Sequence, residues 1–366
     1  MKISFFDDEP EIYPLQYGGK ARTIINLANE FVKHPDVEEV KILSRSIFSE
    51  KKEFVKNGVK YISLDDTNTM ELIAKECQNV DIMNIHCCSF TFPFIKCKAK
   101  KFYFLHDVLI ATADKGSHLD KSLGGDFDYV VAPSEFAKSK YDEKKKLFNR
   151  DVECLVIPRH IDQSLFDKVS SSDVLNDEVP LLLKDVIKKY DEIIFSPNRP
   201  VEEKGGKYIS LFAEEMKREK RNICIIGPFG EESNMPDNCI NTGWIESDKL
   251  KYFYSFSDVT FNFSTLPESF SQVCIESVYC GTPVVAFDSG NITNLSKMTK
   301  AILLCQKNLK SIIATTNKAL LLKKDEKKME EERTKILNIF NKKKIINEYI
   351  DMYKKVLEEN KNDKKQ

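Results

Sequence analysis

Long apolar segments are missing from the sequence. None of its 366 residues lies in an apolar run that approaches the roughly 20 residues of a membrane-spanning helix. Met1 leads directly into the apolar segment KISFF, without the basic segment and longer apolar segment of a secretion signal. We therefore expect a cytoplasmic protein without a transmembrane helix.

Cysteine pairs at metal-binding or redox spacing are also missing. The chain has 10 cysteines but no C-x-x-C pair, and most of them stand inside apolar runs, as Cys224 does in NICIIG and Cys274 in QVCIES. Such cysteines are typical of reduced, buried thiols. We therefore expect neither a disulfide framework nor a zinc site.

The sequence has no excess of positive charge. Its 56 basic and 57 acidic residues give a net charge of -1, whereas the basic surface of a dedicated nucleic-acid binder usually shows in the total. We therefore expect no nucleic-acid partner. The basic and aromatic run KCKAKKFYF, residues 96–104, leaves weak peripheral association with a membrane open, although half of it reads as a β-strand.

A repeated alternation of short apolar strands and amphipathic helices is present instead. This pattern predicts α/β domains with parallel sheets, in which ligands bind at the carboxyl ends of the strands. The chain is too long for one ordinary core, so two doubly wound domains are expected, with a crossing near residues 158–166. The predicted strands are residues 2–6, 40–43, 61–64, 82–86, 102–105, 129–132 and 154–157, then 192–196, 223–226, 259–262 and 283–287.

Gly18 and Gly19 follow the first predicted strand and precede a predicted helix over residues 20–33. Glycines at a helix entrance allow the backbone to approach a phosphate or a sugar closely. The dinucleotide fingerprint G-x-G-x-x-G is absent, and the alternative is that the two glycines simply turn the chain. His86 and His106 each end a later strand, so both are candidates for the same crevice, with a core or surface histidine as the alternative.

Asp126 and Asp128 form a D-x-D pair, a spacing that metal-dependent nucleotide-sugar enzymes use to hold a divalent cation. Here the pair precedes the predicted strand YVVA, whereas a metal motif is expected after a strand. We interpret it as the solvated entry to that strand and predict no metal site.

Two cations follow the first predicted strand of the second domain. Arg199 and Lys204 lie in the loop PNRPVEEKGG, at the carboxyl end of the strand over residues 192–196. A guanidinium that binds two oxygens and a compact ammonium together suit a diphosphate. A solvated charged loop is the alternative.

Residues 264–290, STLPESFSQVCIESVYCGTPVVAFDSG, carry the most interpretable chemistry. Ser269 and Gln272 form an S-x-x-Q capping box, which predicts a helix over about residues 270–280. Glu268 then lies just before the helix and Glu276 within it, so both can border a cleft into which the free N–H groups of the first turn point. The alternative is that Glu276 faces solvent and Glu268 merely compensates the helix dipole.

The C-terminal part is helical and rich in lysine. KKDEKKMEEERTK reads as the solvated face of a helix. The last segment, residues 342–359, has apolar residues at helical spacing and therefore buries a stripe, formed by Ile345, Ile346, Tyr349, Ile350, Tyr353 and Leu357.

Together these motifs resemble those of glycosyltransferase family 4, a group of retaining enzymes with the GT-B fold. The specific part is Glu268 and Glu276 with seven residues between them, followed by GTPVV, and PSEFAKS, IPRHIDQSLF and TGWIESDKLKYFYSFSDV support it along most of the chain. The resemblance implies two doubly wound (Rossmann-like) domains that face a central cleft. An acceptor-side domain would comprise residues 1–160, with the C-terminal helix of residues 342–366 packed back on it, and a nucleotide-sugar-binding domain residues 161–341.

The resemblance also assigns roles to the candidate residues of the second domain. Arg199 and Lys204 would neutralise the diphosphate as it leaves, helped by the backbone amides of Phe270 and Ser271. This is charge stabilisation of a leaving group, and it implies no metal and no other cofactor.

Sugar and ribose hydroxyls would be bound by the remaining candidates. Glu276 would bind the ribose of the nucleotide sugar and Glu268 hydroxyls of the donor sugar, which His106 would face from the N-terminal domain. Gly19, next to Gly18, would let the backbone approach the diphosphate or the acceptor.

Two departures from the family pattern stand out. Ser269 and Ser271 occupy positions where many members have glycine, and Arg159 with His160 replaces the usual asparagine-glycine pair. The second departure affects the linker and the acceptor contacts.

The resemblance implies a metal-independent, retaining glycosyltransferase that moves a sugar from a nucleoside diphosphate sugar to a hydroxyl acceptor, which is a glycan, a lipid-linked or a small molecule. A nucleotide-sugar epimerase of the same fold is one alternative. A non-catalytic nucleotide-binding or scaffold protein that has kept the fold is another.

Overall fold

A computed structural model describes residues 1–7, 19–45, 53–64, 69–87, 97–106, 127–148, 152–170, 173–174, 176–198, 202–230 and 235–363. The chain divides into two compact units, Met1–His160 with Lys342–Gln366, and Ile161–Asn341. No helix in the described part of the chain combines the length and the apolar character needed to cross a membrane.

The first unit is built from short, mostly buried strands joined by amphipathic helices. Its elements are β1 (Lys2–Asp7), α1 (Gly19–Phe31), β2 (Glu39–Arg45), β3 (Glu53–Lys56), β4 (Val59–Leu64), α2 (Thr69–Asn79), β5 (Ile82–Cys87), β6 (Lys100–Phe104), β7 (Tyr129–Ala132), α3 (Glu135–Phe148) and β8 (Glu153–Val156). They form one eight-stranded sheet in the order β3-β4-β2-β1-β5-β6-β7-β8. All neighbours pair in parallel except β3, which is antiparallel to β4 at the edge.

The strand order of this sheet reverses between β1 and β5. On one side of β1 the next strand in the sheet is β2, and on the other side of β5 the next strand is β6. In an open parallel sheet the loops diverge at such a switch point and leave a crevice at the carboxyl ends of the strands. The candidate residues of the first unit therefore belong at the ends of β1, β5 and β6.

The C-terminal helix α12 (Lys342–Asp363) packs on the first unit. Tyr353 donates from its hydroxyl to Asn84 Oδ1 at 2.9 Å, and the Tyr353 ring meets Phe31 edge-on at 5.9 Å. The last helix thus belongs to the unit on which the resemblance places it. Of the predicted stripe, Leu357 is only half-buried, and its neighbour Val356 is buried in its place.

The second unit has the same alternation. Its elements are α4 (Gln163–Phe166), α5 (Leu181–Lys189), β9 (Glu192–Phe195), a 3₁₀ turn (Glu202–Lys204), α6 (Gly206–Arg218), β10 (Ile223–Gly227), β11 (Cys239–Asn241), α7 (Leu250–Phe256), β12 (Val259–Asn262), α8 (Gln272–Tyr279), β13 (Val284–Phe287), α9 (Ile292–Met298), β14 (Ile302–Cys305), α10 (Leu309–Lys324) and α11 (Glu326–Ile339). The six strands pair in parallel in the order β11-β10-β9-β12-β13-β14.

The lysine-rich segment predicted as a solvated helix face is partly buried. Glu332 on α11 is buried and accepts from Thr299 Oγ1 at 2.7 Å and from the Lys300 N–H at 2.8 Å. Met329 and Ile336 on the same helix are buried as well. The prediction is wrong for Met329 and Glu332, because α11 packs against α8.

The hydrogen bond between α12 and β5 gives a stability prediction. Tyr353→Phe leaves the buried Asn84 Oδ1 without its donor, and we expect the free energy of unfolding to fall by about 1–3 kcal/mol. Urea unfolding followed by circular dichroism measures it. Lys355→Ala, on an exposed position of the same helix, is the control and should change the midpoint little. Equal midpoints for Tyr353→Phe and the unchanged chain would contradict the prediction.

Candidate functional site

The second sheet reverses its order between β9 and β12, which pair directly with each other. The loops that leave the carboxyl ends of these two strands therefore start side by side. Lys204 closes the 3₁₀ turn that follows β9, and Glu268 lies in the loop between β12 and α8. The two residues are 64 positions apart in the chain, and the sheet topology is what brings them together.

Lys204 and Glu268 form an ion pair, with Nζ 2.6 Å from Oε1. The Lys204 side chain is 29% exposed and that of Glu268 18%, so the pair is accessible to a ligand while partly desolvated. Electrostatic interactions are stronger at such a site than in open water. Arg199, the second predicted cation of this loop, lies outside the described residues.

Close backbone contact holds the two loops against each other. Gly205 has a φ of +80°, and a Cβ at this position would lie 2.4 Å from the Phe263 carbonyl oxygen. Any larger residue would push the loops apart. The Thr265 N–H also donates to the Glu203 carbonyl oxygen at 2.7 Å. The position of Lys204 is thus set by its own backbone neighbours.

The Glu268 loop is also tied to the residues that follow β13. The Asn291 N–H donates to the Glu268 carbonyl oxygen at 2.8 Å, and Asn291 Nδ2 donates to that of Phe270 at 3.1 Å. Ser289 Oγ donates to the Leu266 carbonyl oxygen at 2.7 Å. These bonds fix the loop on its second side.

The predicted capping box is wrong. Helix α8 begins at Gln272, and its N-cap is Ser271 in the left-handed conformation, with φ 67° and ψ 71°, instead of Ser269. Gln272 is therefore the first helical residue and cannot act as the third residue of a capping box. The physical reason is that the left-handed backbone of Ser271 is not helical, so the helix cannot extend back to Ser269. Ser271 Oγ accepts from Asn262 Nδ2, at the end of β12, at 2.8 Å.

Glu276 is buried, with 6% of its surface exposed, and accepts from the Tyr254 hydroxyl at Oε2, 3.2 Å away. The alternative of a solvent-facing Glu276 is therefore wrong. A buried carboxylate must be hydrogen-bonded or neutralised to be tolerated. Tyr254, on α7, provides one such bond and orients the carboxylate.

The first unit gathers charged groups at its own switch point. Gly19 is the first residue of α1, and Gly18 lies outside the described residues. Next to Gly19, Lys20 donates to Asp7 Oδ1 at 3.0 Å, and the Asp7 side chain is fully buried at the end of β1. This ion pair links the end of β1 to the start of α1.

His86 and His106 lie together, as their strand-end positions predict. His106 Nε2 is 2.7 Å from His86 Nδ1, and Arg159 Nη2 is 2.9 Å from His106 Nδ1. A guanidinium only donates, so His106 Nδ1 must accept, and its proton lies on Nε2. His106 then donates to His86 Nδ1, and both imidazoles are neutral with a fixed tautomer.

Burial lowers the pKa of both histidines well below the usual value, and the positive charges of Arg159 and Lys20 lower it further. The unfolded chain protonates histidine below about pH 6.5 and so binds more protons than the folded chain there. The two histidines therefore reduce the free energy of unfolding as the pH falls below that value.

Of the two aspartates of the D-x-D pair, Asp126 lies outside the described residues. Asp128 stands just before β7 and accepts from the Lys101 N–H at 2.8 Å. This contact ties the entry of β7 to β6. Absence of a metal requirement stays a prediction.

Comparison with known proteins places this geometry in a familiar architecture. Residues 183–336 match a family model described as glycosyl transferases group 1. No curated protein sequence matches the chain.

Solved structures match over nearly the whole chain. HepE from Anabaena, solved with UDP-glucose, is 14% identical with a TM-score of 0.75, covering 97% of this chain and 100% of HepE. Sucrose-phosphate synthase from Thermosynechococcus elongatus is 14% identical with a TM-score of 0.74, covering 97% and 98%. A glycosyltransferase from Rickettsia africae is 20% identical with a TM-score of 0.68, covering 97% and 99%.

The chain has the GT-B fold. The predicted resemblance to GT-B glycosyltransferases is confirmed at this level, and the group 1 match falls within the unit that holds Lys204, Glu268 and Glu276.

Three residues that contact the predicted site residues have no role that the sequence predicts. Asn262 and Tyr254 were not singled out, and Arg159 was noted only as a departure. A polar residue at the end of the apolar strand VTFN was the available signal for Asn262. No local pattern marks Tyr254, because its partner Glu276 is 22 positions away.

The histidine cluster of this GT-B chain gives a spectroscopic prediction. Arg159→Met removes a cation that lowers the pKa of His106, so the variant should titrate His106 at higher pH than the unchanged chain. Nitrogen NMR on ¹⁵N-histidine-labelled protein, which has 5 histidines, follows both tautomer and titration.

In the unchanged chain, the spectrum should show His106 protonated at Nε2 alone. Lys355→Met, on the exposed side of α12, is the control and should leave the His106 titration in place. An unaltered His106 titration in Arg159→Met would show that the guanidinium does not act on this ring.

Proposed function

We propose that the protein is a retaining, family 4 type glycosyltransferase that moves a sugar from a nucleoside diphosphate sugar to a hydroxyl acceptor. The observation that carries the proposal is the contact of Lys204 with Glu268 at the switch point of the second sheet, beside the N-terminus of α8. A cation, a carboxylate and free backbone N–H groups are the groups that a diphosphate and a sugar need.

Lys204 has the role of stabilising the leaving group. When the bond between the anomeric carbon and the diphosphate oxygen breaks, negative charge grows on that oxygen, and the ammonium lies ready to neutralise it. Arg199 is proposed to share this role. The acceptor oxygen bonds to the anomeric carbon on the same face, and its proton leaves with the diphosphate.

Glu268 and Glu276 have the role of binding hydroxyls. Glu268 exchanges its contact with Lys204 for one with the donor sugar once the diphosphate takes over the ammonium. Glu276, already oriented by Tyr254, accepts from the ribose. Backbone amides at Phe270 and Ser271 are proposed to face the diphosphate, so that no metal ion is needed.

The first unit is proposed to bind the acceptor. Its switch point carries Gly19 at the start of α1, and the neutral pair His86 and His106 lies at the ends of β5 and β6. Gly18 and Gly19 allow close approach of a ligand to the backbone.

A cytoplasmic location is proposed from the composition. Peripheral association with a membrane finds less support, because residues Lys100–Phe104 of the basic and aromatic run form β6, whose residues from Lys101 onward are buried. The remaining basic residues of that run would have to bind the membrane alone.

Donor binding is the first test. HepE was solved with UDP and with UDP-glucose, so these two head a panel that also contains GDP, GDP sugars and other UDP sugars. A ligand that binds the folded chain raises its melting temperature. At a ligand concentration of 100 times the Kd, the free energy of unfolding rises by about 2.7 kcal/mol. Absence of a shift and of hydrolysis with every member would overturn the proposal.

Two variants test the residue roles. Lys204→Met and Glu276→Gln should each weaken binding of the nucleoside diphosphate about tenfold or more, because each removes a charge from the proposed contacts. Lys207→Met, three residues on and exposed, is the matched control for Lys204. Equal affinities for Lys204→Met and Lys207→Met would exclude the proposed cation role.

Product analysis separates the alternatives. Transfer to an acceptor with retained configuration, unchanged by a metal chelator, is the expected outcome. An epimerised sugar formed without acceptor would establish the epimerase, and tight binding without turnover would favour a nucleotide-binding scaffold. Loss of transfer on chelation would contradict metal independence.

A further inference from the structure

Ser271 has a backbone conformation that serine avoids. Its φ of 67° places it in the left-handed region, which costs a residue with a Cβ roughly 1–2 kcal/mol. Asn57 and Lys220 are the other described non-glycine residues with positive φ. Ser271 differs from them because it is buried and stands directly before α8. Something in its surroundings must therefore stabilise this conformation.

A chain of side-chain hydrogen bonds runs through the Ser271 hydroxyl. Asn198 Nδ2 donates to Asn262 Oδ1 at 3.2 Å, and Asn262 Nδ2 donates to Ser271 Oγ at 2.8 Å. Ser271 Oγ in turn donates to Cys274 Sγ at 3.2 Å. Asn262 is 1% exposed, so it makes these bonds away from competing water.

The four groups connect three separate segments. Asn198 lies just beyond β9, in the loop that continues to Lys204. Asn262 is the last residue of β12, and Ser271 with Cys274 belongs to the start of α8. The chain of bonds therefore joins the cation-bearing loop to the helix N-terminus, the two elements proposed to hold the diphosphate.

We propose that Asn262 is a positioning residue that holds Ser271 in the left-handed conformation and so sets the direction of the first N–H groups of α8 toward the donor diphosphate. This inference rests on the proposed function. Asn262 itself need not touch the donor, since it acts through Ser271. It deepens the function by naming the residue that shapes the anion-binding end of the helix.

The chemistry predicts which residue combinations work. Leucine branches at the same carbon as asparagine but is bulkier and has no donor, so Asn262→Leu leaves Ser271 in a costly conformation without its hydrogen bond; the added bulk is common to both backgrounds and cancels in the comparison. Glycine at position 271 adopts positive φ without strain and has no hydroxyl to satisfy. Asn262→Leu should therefore weaken diphosphate binding strongly when residue 271 is serine and only slightly when it is glycine.

A double-mutant cycle measures this dependence. Asn262→Leu, Ser271→Gly and the double variant are compared with the unchanged full-length chain by calorimetric titration of UDP and GDP, each against its nucleoside. Asn262→Leu should weaken binding of the diphosphate about tenfold with Ser271 present, and about threefold or less in the Ser271→Gly background. Nucleoside binding should change little, since a nucleoside has no diphosphate to orient.

Melting temperatures of the four proteins give a second readout and a check on folding. Asn317→Leu, at an exposed asparagine of α10, is the control and should leave binding unchanged. The inference is overturned if Asn262→Leu binds the diphosphate as the unchanged chain does, or loses equally in both backgrounds.

Failure of the proposed function looks different. In that case the unchanged chain binds neither UDP nor GDP, and α8 then has no diphosphate to orient. The melting temperatures then decide whether Asn262 stabilises the left-handed conformation of Ser271. If it does, Asn262→Leu lowers the melting temperature less in the Ser271→Gly background.

Discussion

Parallel pairing of β9 with β12 is the constraint on which the candidate donor site depends. Val259 lies opposite Ile194 and Thr260 opposite Phe195, so both strands run to the same edge of the sheet, where β12 extends two residues beyond the end of β9. Their loops then have to share the same space. Gly205 makes this possible by approaching the Phe263 carbonyl oxygen more closely than any side chain permits. The contact of Lys204 with Glu268 follows from this arrangement.

The same end of the second sheet buries several polar groups, each with a partner. Glu276 accepts from Tyr254, Asn262 donates to Ser271, and Ser277 Oγ donates to Thr260 Oγ1 at 2.8 Å. Unpaired, such groups would each cost about 1–3 kcal/mol. Paired, they hold the carboxylate and the start of α8 in place before a ligand arrives, which is how a preorganised site gains its electrostatic effect.

The first unit uses a different device at its switch point. Arg159 donates to His106 and thereby fixes the direction of the hydrogen bond to His86. The cluster stays neutral at its centre although Arg159 and Lys20 lie near it. Since α12 returns to this unit and buries Tyr353 against Asn84, the end of the chain contributes directly to the sheet that carries the cluster.

Local pattern in the sequence determined the class of fold and most of its elements. The bounds of β7 and β12 agree with the predicted strands, because apolar runs flanked by polar residues are a property of adjacent positions. It also determined the candidate residues, since motif spacing placed Lys204, Glu268 and Glu276 on loops and helices that follow strands. Strands β3 and β11 were missed, because a strand of three or four residues with polar positions leaves little apolar pattern. Strand β14 was missed although ILLC is apolar throughout, because periodicity cannot distinguish so short an apolar run from part of a helix.

Tertiary structure alone decided how these residues meet. Lys204 and Glu268 are 64 positions apart, and Arg159 and His106 are 53 apart. Helix α8 starts at Gln272 because Asn262, on a different element, stabilises positive φ at Ser271. Periodicity reports only neighbours along the chain, whereas these contacts depend on strand register and on side chains that reach across it.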